Sequence, residues 1–142
     1  MDTFSVLVVD DEKDFLETLV SRLKKRKIDT HGAKSGEDAL KLIKNRPFDV
    51  VILDIKMPGG MDGIEALRAI KKIQPLTEVI LLTGHASVET SIEGMKLGAF
   101  DYVLKPVKLE ELLPKMLQAF EKKNNHDQKV RSAKIRETLK YW

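Results

Sequence analysis

Five short apolar runs alternate along the chain with longer segments in which apolar residues recur every three to four positions. Four of the runs are rich in Val, Ile and Leu, which is typical of strands buried on both faces of a parallel sheet. The second run contains Asp, Thr and His, so we predict that it forms an edge strand. The predicted strands are Ser5–Val9, Ile28–Ala33, Asp49–Leu53, Glu78–Leu82 and Phe100–Leu104.

The segments between the strands carry the 3.6-residue period of amphipathic helices. The clearest stripe follows the last strand and ends at Phe120, whereas the segment from about 88 to 97 has the weakest one. We predict that this weak helix is mobile or binds a partner. A repeating strand–helix order over about 120 residues predicts right-handed crossovers and a parallel sheet with helices on both faces.

Polar residues follow the ends of four predicted strands. Asp10 and Asp11 follow the first strand, Asp54 the third, Thr83 the fourth and Lys105 the fifth. Because the carboxyl ends of parallel strands share one edge, these residues converge where doubly wound sheets bind their ligands. If the strand order is 2-1-3-4-5, the first and third strands are neighbours. The three aspartates then face one another, with the threonine and the lysine beside them.

This set of side chains indicates phosphoryl chemistry. Three crowded carboxylates repel one another and stay ionised together only when a cation relieves the repulsion. Oxygen ligands in an incomplete cage are typical of magnesium, which shares its remaining positions with water and phosphate. Lysine and threonine donate to phosphoryl oxygens. Carboxylates form covalent aspartyl-phosphates, and the central Asp54 is the natural nucleophile.

Four motifs stand in a fixed order along the chain: Asp10-Asp11, Asp54 followed by Met57-Pro58, Thr83-Gly84, and Lys105-Pro106. Together they resemble the receiver domain of bacterial two-component response regulators, over residues 4 to about 121. The resemblance implies an α/β, flavodoxin-like, doubly wound fold: a five-stranded parallel sheet of order 2-1-3-4-5 with five helices. It also implies a cis peptide bond between Lys105 and Pro106.

The resemblance implies a phosphorylation-dependent switch located in the cytoplasm. Asp54 would accept a phosphoryl group from a sensor histidine kinase or a phosphotransfer protein. Lys105 would pair with the phosphoryl oxygens, and Thr83 would donate a hydrogen bond to one of them. The domain would not be an enzyme for external substrates, since it would catalyse only its own phosphoryl transfer and slow autodephosphorylation.

The same resemblance implies a magnesium site and a conformational readout. Mg²⁺ would be held by Asp11, Asp54 and the backbone carbonyl of Lys56, with Asp10 reached through water. Tyr102 would be the switch aromatic, which turns inward when the threonine moves toward the phosphate. The surface that changes would be that of the fourth helix, fifth strand and fifth helix. It would control a downstream effector or an output domain, and a homodimer is left open.

Two features of the sequence depart from the family pattern or affect its kinetics. The segment from Met57 to Asp62 contains one more glycine than is usual, which leaves the loop shape and the start of the third helix open. The positions two after Asp54 and two after Thr83, Lys56 and His85, influence the dephosphorylation rate in this family. Their identity does not set a lifetime.

Charge divides the chain into two parts. The chain carries a net charge of +3, but residues 121–142 hold seven basic and three acidic residues, which leaves the rest near neutral. We therefore predict a receiver domain over 1–123 and a basic C-terminal tail over 124–142, either a helical extension or a linker. No recognition helix or aromatic pattern supports the tail as a nucleic-acid adaptor, so direct nucleic-acid binding is not expected.

Composition and motif order exclude other classes of protein. The absence of cysteine excludes disulfides, thiolate zinc sites and thiol chemistry. The aliphatic runs are far shorter than the roughly 20 residues of a membrane span, and no signal peptide is visible, so no membrane partner is expected. An aspartate-nucleophile phosphatase is a rival interpretation. It is disfavoured because such enzymes place Asp-x-Asp after the first strand and carry a cap insertion.

Single motifs also have purely structural interpretations. Asp10 and Asp11 lie where they could serve as the N-cap and first-turn charges of the following helix. That interpretation leaves Asp54 and Lys105 unexplained. Tyr102 could likewise be an ordinary half-buried strand aromatic.

Overall fold

The five apolar runs form one parallel sheet in which the strands, numbered in chain order, are arranged 2-1-3-4-5. The structure is a computed structural model that describes residues 4–84 and 88–139, so His85 lies outside the described residues. Its strands are β1 Ser5–Val9, β2 Asp29–Ala33, β3 Val50–Asp54, β4 Glu78–Thr83 and β5 Asp101–Leu104. Its helices are α1 Lys13–Lys25, α2 Gly36–Asn45, α3 Gly63–Ile73, α4 Val88–Lys96 and α5 Leu109–Leu139. The predicted flavodoxin-like fold, including the polar edge strand β2, is confirmed.

Two apolar cores lie on opposite faces of the sheet, because successive strand residues point to opposite faces. Leu7 of β1 and Leu53 of β3 belong to the core that contains residues of α2 and α3. Val8 of β1 and Ile52 of β3 belong to the core that contains residues of α1 and α5. Every residue of β1, β3 and β4 is buried, which explains why those segments read as continuous apolar runs.

Strands β3 and β4 run one residue further than the sequence predicted. Asp54 still pairs with Leu82 of β4, and Thr83 still pairs with Leu104 of β5. The two polar residues therefore occupy the last register positions of the sheet instead of the loops beyond it. Their backbones are fixed by strand pairing, and their side chains are correspondingly buried, at 4% and 2% exposure.

Helix α5 continues without a break past the point where its apolar stripe ends. The Phe120 ring packs against Phe4 at a centroid distance of 4.9 Å. Directly beyond it, Lys122 lies 3.4 Å from Glu78, and Lys123 lies 3.3 Å from Asp49. Both acids stand at the amino edge of the sheet, so two ion pairs hold the helix there. We call residues 121–139 the α5 extension; its separation as a tail from residue 124 stays a prediction.

The side-chain amide of Gln74, which follows α3, connects the α3–β4 loop with the end of α2 and the α2–β3 loop. Its Nε2 donates to the carbonyl oxygens of Ile43, at 2.7 Å, and Arg46, at 3.1 Å. Its Oε1 accepts from the backbone N–H of Phe48 and from the Thr77 hydroxyl, at 3.3 and 2.8 Å. A part-buried group that loses its only partner costs about 1–3 kcal/mol. We expect Gln74→Ala to lower the free energy of unfolding by about 2 kcal/mol in urea denaturation.

Gln118→Ala is the matched control, because Gln118 is exposed on α5. Surface substitutions usually change stability by no more than about 0.5 kcal/mol. Equal unfolding free energies for the two variants would contradict the bridging role of the Gln74 amide.

Candidate functional site

Three carboxylates meet at the carboxyl edge of the sheet. One oxygen from each of Asp10, Asp11 and Asp54 lies within 4.8 Å of the others. Strand pairing causes this, because Val9 and Leu53, the residues before Asp10 and Asp54, are register partners. Asp10 and Asp54 are buried, whereas Asp11 is exposed. The cluster is therefore closed on the protein side and open to solvent at Asp11.

Lys105 joins this cluster from the position directly after β5, 95 residues from Asp10 and 51 residues from Asp54 in the sequence. Its Nζ donates to Asp10 Oδ2 at 2.8 Å and to Asp54 Oδ2 at 3.3 Å. Its backbone N–H donates to the Thr83 carbonyl at 2.8 Å, which ties the end of β5 to the end of β4. The Lys105–Pro106 bond is cis, as predicted. In the described structure the ammonium is thus the cation that bridges the two buried carboxylates.

Burial dominates the electrostatics of Asp54. The pKa of this carboxyl is raised from its ordinary 3.8 to about 6; burial is the largest cause, and the neighbouring charge of Asp10 acts in the same direction. Attraction to Lys105 and the hydrogen bond from Lys56 N–H lower the pKa but do not cancel the rise. Burial by itself lowers the pKa of Lys105. The hydrogen bond to Asp10 and the attraction of Asp54 outweigh it, so the pKa of Lys105 is raised overall.

Backbone N–H groups orient the two buried carboxylates. Asp10 Oδ1 accepts from the N–H of Glu12 at 2.9 Å. Asp54 Oδ1 accepts from the N–H of Lys56 at 3.1 Å. In each case the donor lies two residues after the acid, the local bond that aspartate makes readily at a strand end. One oxygen of each acid therefore faces its own backbone, and the other faces Lys105.

Thr83 and Tyr102 lie on neighbouring strands and on the same face of the sheet. Tyr102 is the register partner of Leu81, and Thr83 follows Leu81 by two residues, which returns it to that face. Thr83 is buried, and its hydroxyl donates to the Gly84 carbonyl at 3.0 Å. Tyr102 points outward and is 41% exposed. The structure thus places the predicted switch pair side by side in the sheet, with the aromatic ring turned to solvent.

Phe15 of α1 is part of the site, although its sequence pattern did not indicate this. The Lys105 ammonium lies 4.7 Å from the centroid of the Phe15 ring. An aromatic face attracts a cation at this distance. Phe15 also belongs to the apolar face of α1, so periodicity alone marks it as a core residue. Only its place one turn beyond Asp10-Asp11 connects it to the site.

The loop between β3 and α3 absorbs the additional glycine through left-handed backbone. Gly59 and Gly60 have φ angles of +76° and +71°, a region that favours glycine. Glu37 of α2 accepts the N–H of Met61 at 3.1 Å and so holds the loop from outside. Asp62 then caps α3, which begins at Gly63. The start of this helix, which the sequence left open, is fixed by that cap.

The carboxylate cluster fits a hard divalent cation. Two buried acids and one exposed acid supply oxygen ligands on one side and leave the other side to solvent or to phosphate oxygens, an arrangement that suits magnesium. A nearby positive charge would stabilise the ionised form of the buried Asp54, whose pKa is raised. The residues at this edge can therefore hold such an ion without rearrangement of the sheet.

The fold and the site together define a class: a doubly wound α/β domain with an acidic cation site and a lysine at the carboxyl edge of its sheet. The sequence profile of the response regulator receiver domain matches residues 6–117. The chain belongs to the response regulator receiver domain family, the family that its motifs resemble.

Two curated relatives and two solved structures show the range of the similarity. The chain is 44% identical to the regulatory protein AtoC of Escherichia coli over 107 residues, or 75% of the chain. It is 38% identical to a putative NtrX-like response regulator of Rickettsia bellii over 122 residues, or 85% of the chain. A receiver domain protein from Clostridium thermocellum superposes with a TM-score of 0.80 at 37% identity, covering 84% of this chain and 96% of that one. NtrX from Brucella abortus superposes with a TM-score of 0.85 at 30% identity, covering 92% of this chain and 29% of that one.

The chain spans only about a quarter of the length of the curated relatives it matches, since it covers 23% of AtoC and 26% of the Rickettsia protein. The similarity therefore concerns their receiver portion. In the part of the chain that the structure describes, no helix combines the length and apolarity that a membrane crossing requires.

Proposed function

We propose that this receiver domain is a switch that is set by phosphorylation of Asp54. The observation that carries the proposal is the bridge of Lys105 between Asp10 and Asp54, beside the exposed Asp11. It combines a buried nucleophile, a cation site open to solvent and the positive charge of a lysine within one cluster. This combination suits the transfer of a phosphoryl group to a carboxylate.

In the proposed transfer, an Asp54 carboxylate oxygen attacks the phosphorus of a phosphohistidine on a sensor histidine kinase or phosphotransfer protein. A P–O bond forms while the P–N bond breaks, and the histidine leaves with that electron pair and takes up a proton. Bound Mg²⁺ would neutralise charge on the phosphoryl oxygens. Asp11, Asp54 and the Lys56 carbonyl would hold the ion, and Asp10 would hold it through water.

The position of Lys105 supports its proposed role in the phosphorylated state. Its Nζ contacts Asp54 Oδ2 at 3.3 Å, so it would exchange that carboxylate oxygen for a phosphoryl oxygen by a short movement. The Thr83 hydroxyl would exchange its local bond to Gly84 for a second phosphoryl oxygen. Movement of Thr83 on β4 would then make room for Tyr102, the neighbouring residue on the same face, to turn inward.

The proposed readout is the surface of α4, β5 and α5. This surface displays large apolar side chains that remain exposed in the described structure, a sign of a recognition surface. They are Ile92, Met95, Tyr102, Leu104 and Leu117. A downstream effector, an output domain or a second copy of the chain would bind here in a phosphorylation-dependent way. We place this switch in the cytoplasm, with no catalysis beyond its own phosphoryl transfer and slow autodephosphorylation.

A small phosphodonor with magnesium, followed by intact-mass measurement, tests the proposal. We expect one phosphoryl adduct on the wild-type chain and none on Asp54→Asn. Asp14→Asn, an exposed acid on α1, is the matched control and keeps the adduct. An adduct that persists in Asp54→Asn would overturn the assignment. Rapid turnover of an external phosphoester without a trapped adduct would favour the phosphatase interpretation instead.

A further inference from the structure

One lysine of α5 contacts the predicted switch strand in three ways. Lys115 Nζ donates to the backbone carbonyl of Tyr102 at 2.8 Å. It also forms an ion pair with Asp101 at 3.1 Å. Finally, it lies 5.7 Å from the centroid of the Tyr102 ring, within the range of a cation–π contact. The backbone of β5 and the ring of Tyr102 are therefore held by the same ammonium.

Two of these contacts do not depend on the position of the Tyr102 ring. The Asp101 side chain and the Tyr102 carbonyl fix the ammonium over β5. Asp101 is itself fixed, because its Oδ1 accepts the Tyr102 N–H at 2.8 Å. The Lys115 ammonium is thus already held in place. Its contact with the ring therefore costs no further side-chain entropy of the lysine. Such a contact keeps most of its favourable free energy.

The third contact exists only while the ring points outward. Rotation of the ring toward the interior of the sheet would carry it away from an ammonium that its other partners hold in place. A group shifts the equilibrium between two conformations only by the difference between its interaction free energies with them. Lys115 therefore favours the outward conformation over the inward one, while its backbone and carboxylate contacts leave that balance unchanged.

We propose that Lys115 is a positioning residue that holds the Tyr102 ring outward in the unphosphorylated chain and so sets the threshold of the switch. This inference rests on the proposed function, because it concerns the same conformational change. A partly exposed cation–π contact corresponds to about a two- to fivefold change in the ratio of outward to inward ring. Lys115 acts through Tyr102 and does not contact the proposed phosphoryl site.

The exposure of the ring can be measured without phosphorylation. The 142-residue chain would be labelled with fluorotyrosine in a Tyr141→Phe background, so that Tyr102 gives the only signal. The ¹⁹F shift between H₂O and D₂O reports how much of the ring faces solvent. We expect Lys115→Met to reduce this isotope shift and Lys115→Arg, which keeps the cation, to restore it. Equal isotope shifts in wild type and Lys115→Met would overturn the inference.

The rate of adduct formation with a small phosphodonor is the second readout. We expect Lys115→Met to raise this rate about two- to fivefold, since the inward state is favoured in advance. In a Tyr102→Leu background the same substitution should leave the rate unchanged, because no ring remains to be held. A similar acceleration in that background would overturn the inference, since Lys115 would then act without Tyr102.

These readouts separate the two proposals. Reduced ring exposure in Lys115→Met with no adduct in any variant supports the positioning role and contradicts the proposed function. Normal adduct formation with unchanged ring exposure overturns the positioning role and leaves the proposed function standing.

Discussion

Replacing Gly63 with alanine is expected to lower the free energy of unfolding by more than about 3 kcal/mol, or to prevent folding altogether. A Cβ at this position would overlap the Asp54 carbonyl oxygen and would lie only 2.6 Å from the Ile55 carbonyl oxygen. The two oxygens belong to the last residue of β3 and to the residue directly after it. The Gly63 N–H also donates to that Ile55 oxygen at 3.0 Å, so the two segments cannot separate without losing the bond.

Urea denaturation of Gly63→Ala, Gly94→Ala and Gly84→Ala checks this prediction. The atom nearest a Cβ at Gly94 is the end of the Leu81 side chain, and no atom lies within 4 Å of one at Gly84. Because side chains yield more readily than backbone, we expect the loss to fall in the order Gly63, Gly94, Gly84. Wild-type stability of Gly63→Ala would show that α3 can move away from the end of β3.

The second large effect is a gain: Asp54→Asn should stabilise the metal-free protein at pH 7 by up to about 3 kcal/mol. The pKa of Asp54 is about 6 in the folded chain, against an ordinary 3.8. Between these two values the folded state binds more protons than the unfolded state, so stability falls as the pH rises through this window. Above pH 6, the folded state bears the full free-energy cost of the buried Asp54 charge. Asparagine removes that cost and keeps the side-chain shape.

The pH dependence of the stabilisation by Asp54→Asn distinguishes it from the effect of removing an ordinary surface charge. With a chelator present, the stabilisation by Asp54→Asn should be complete above pH 6 and should disappear as the pH falls toward 3.8. Thermal unfolding of both proteins across pH 4–8 measures it. Asp14→Asn, on the exposed side of α1, should change stability by no more than about 0.5 kcal/mol throughout. A stabilisation that grows on acidification would contradict a raised pKa at Asp54.

Magnesium should reduce the stability advantage of Asp54→Asn. A cation that binds the folded wild-type cluster stabilises it in proportion to its affinity, whereas Asp54→Asn lacks one ligand. We therefore expect added Mg²⁺ to raise the unfolding temperature of wild type more than that of Asp54→Asn. Equal increases in the two proteins would contradict binding of the ion at Asp54.

Most of the fold could be predicted from the sequence because its signals are local. The continuous apolar runs of β1, β3 and β4 follow from burial on both faces, and the strand–helix alternation limits the topology to few arrangements. The convergence of Asp10, Asp54 and Lys105 then follows from parallel strands alone. The ends of β3 and β4 could not be located to the residue, because whether Asp54 and Thr83 still pair depends on neighbouring strands.

Other features depend on contacts between distant segments and leave no periodic signal. Phe15 lies under the Lys105 ammonium because α1 and the end of β5 pack together. Lys115 belongs to the polar face of α5, where a lysine is ordinarily only solvated. Its contacts with Asp101 and Tyr102 appear only once β5 and α5 are placed side by side. The weak apolar stripe of α4 did correctly locate a helix at Val88–Lys96.

The unbroken course of α5 gives the domain a mechanical lever. A helix of 31 residues is about 46 Å long, and this one begins four residues after Lys105. The ion pair of Lys123 with Asp49 provides a fulcrum at the opposite edge of the sheet. Some 16 residues of helix, about 24 Å, project beyond it, so a tilt of about 10° would displace Leu139 by about 4 Å. A tilt of α5 that starts beside the proposed phosphoryl site would thus be carried across the whole domain to the far end of the helix.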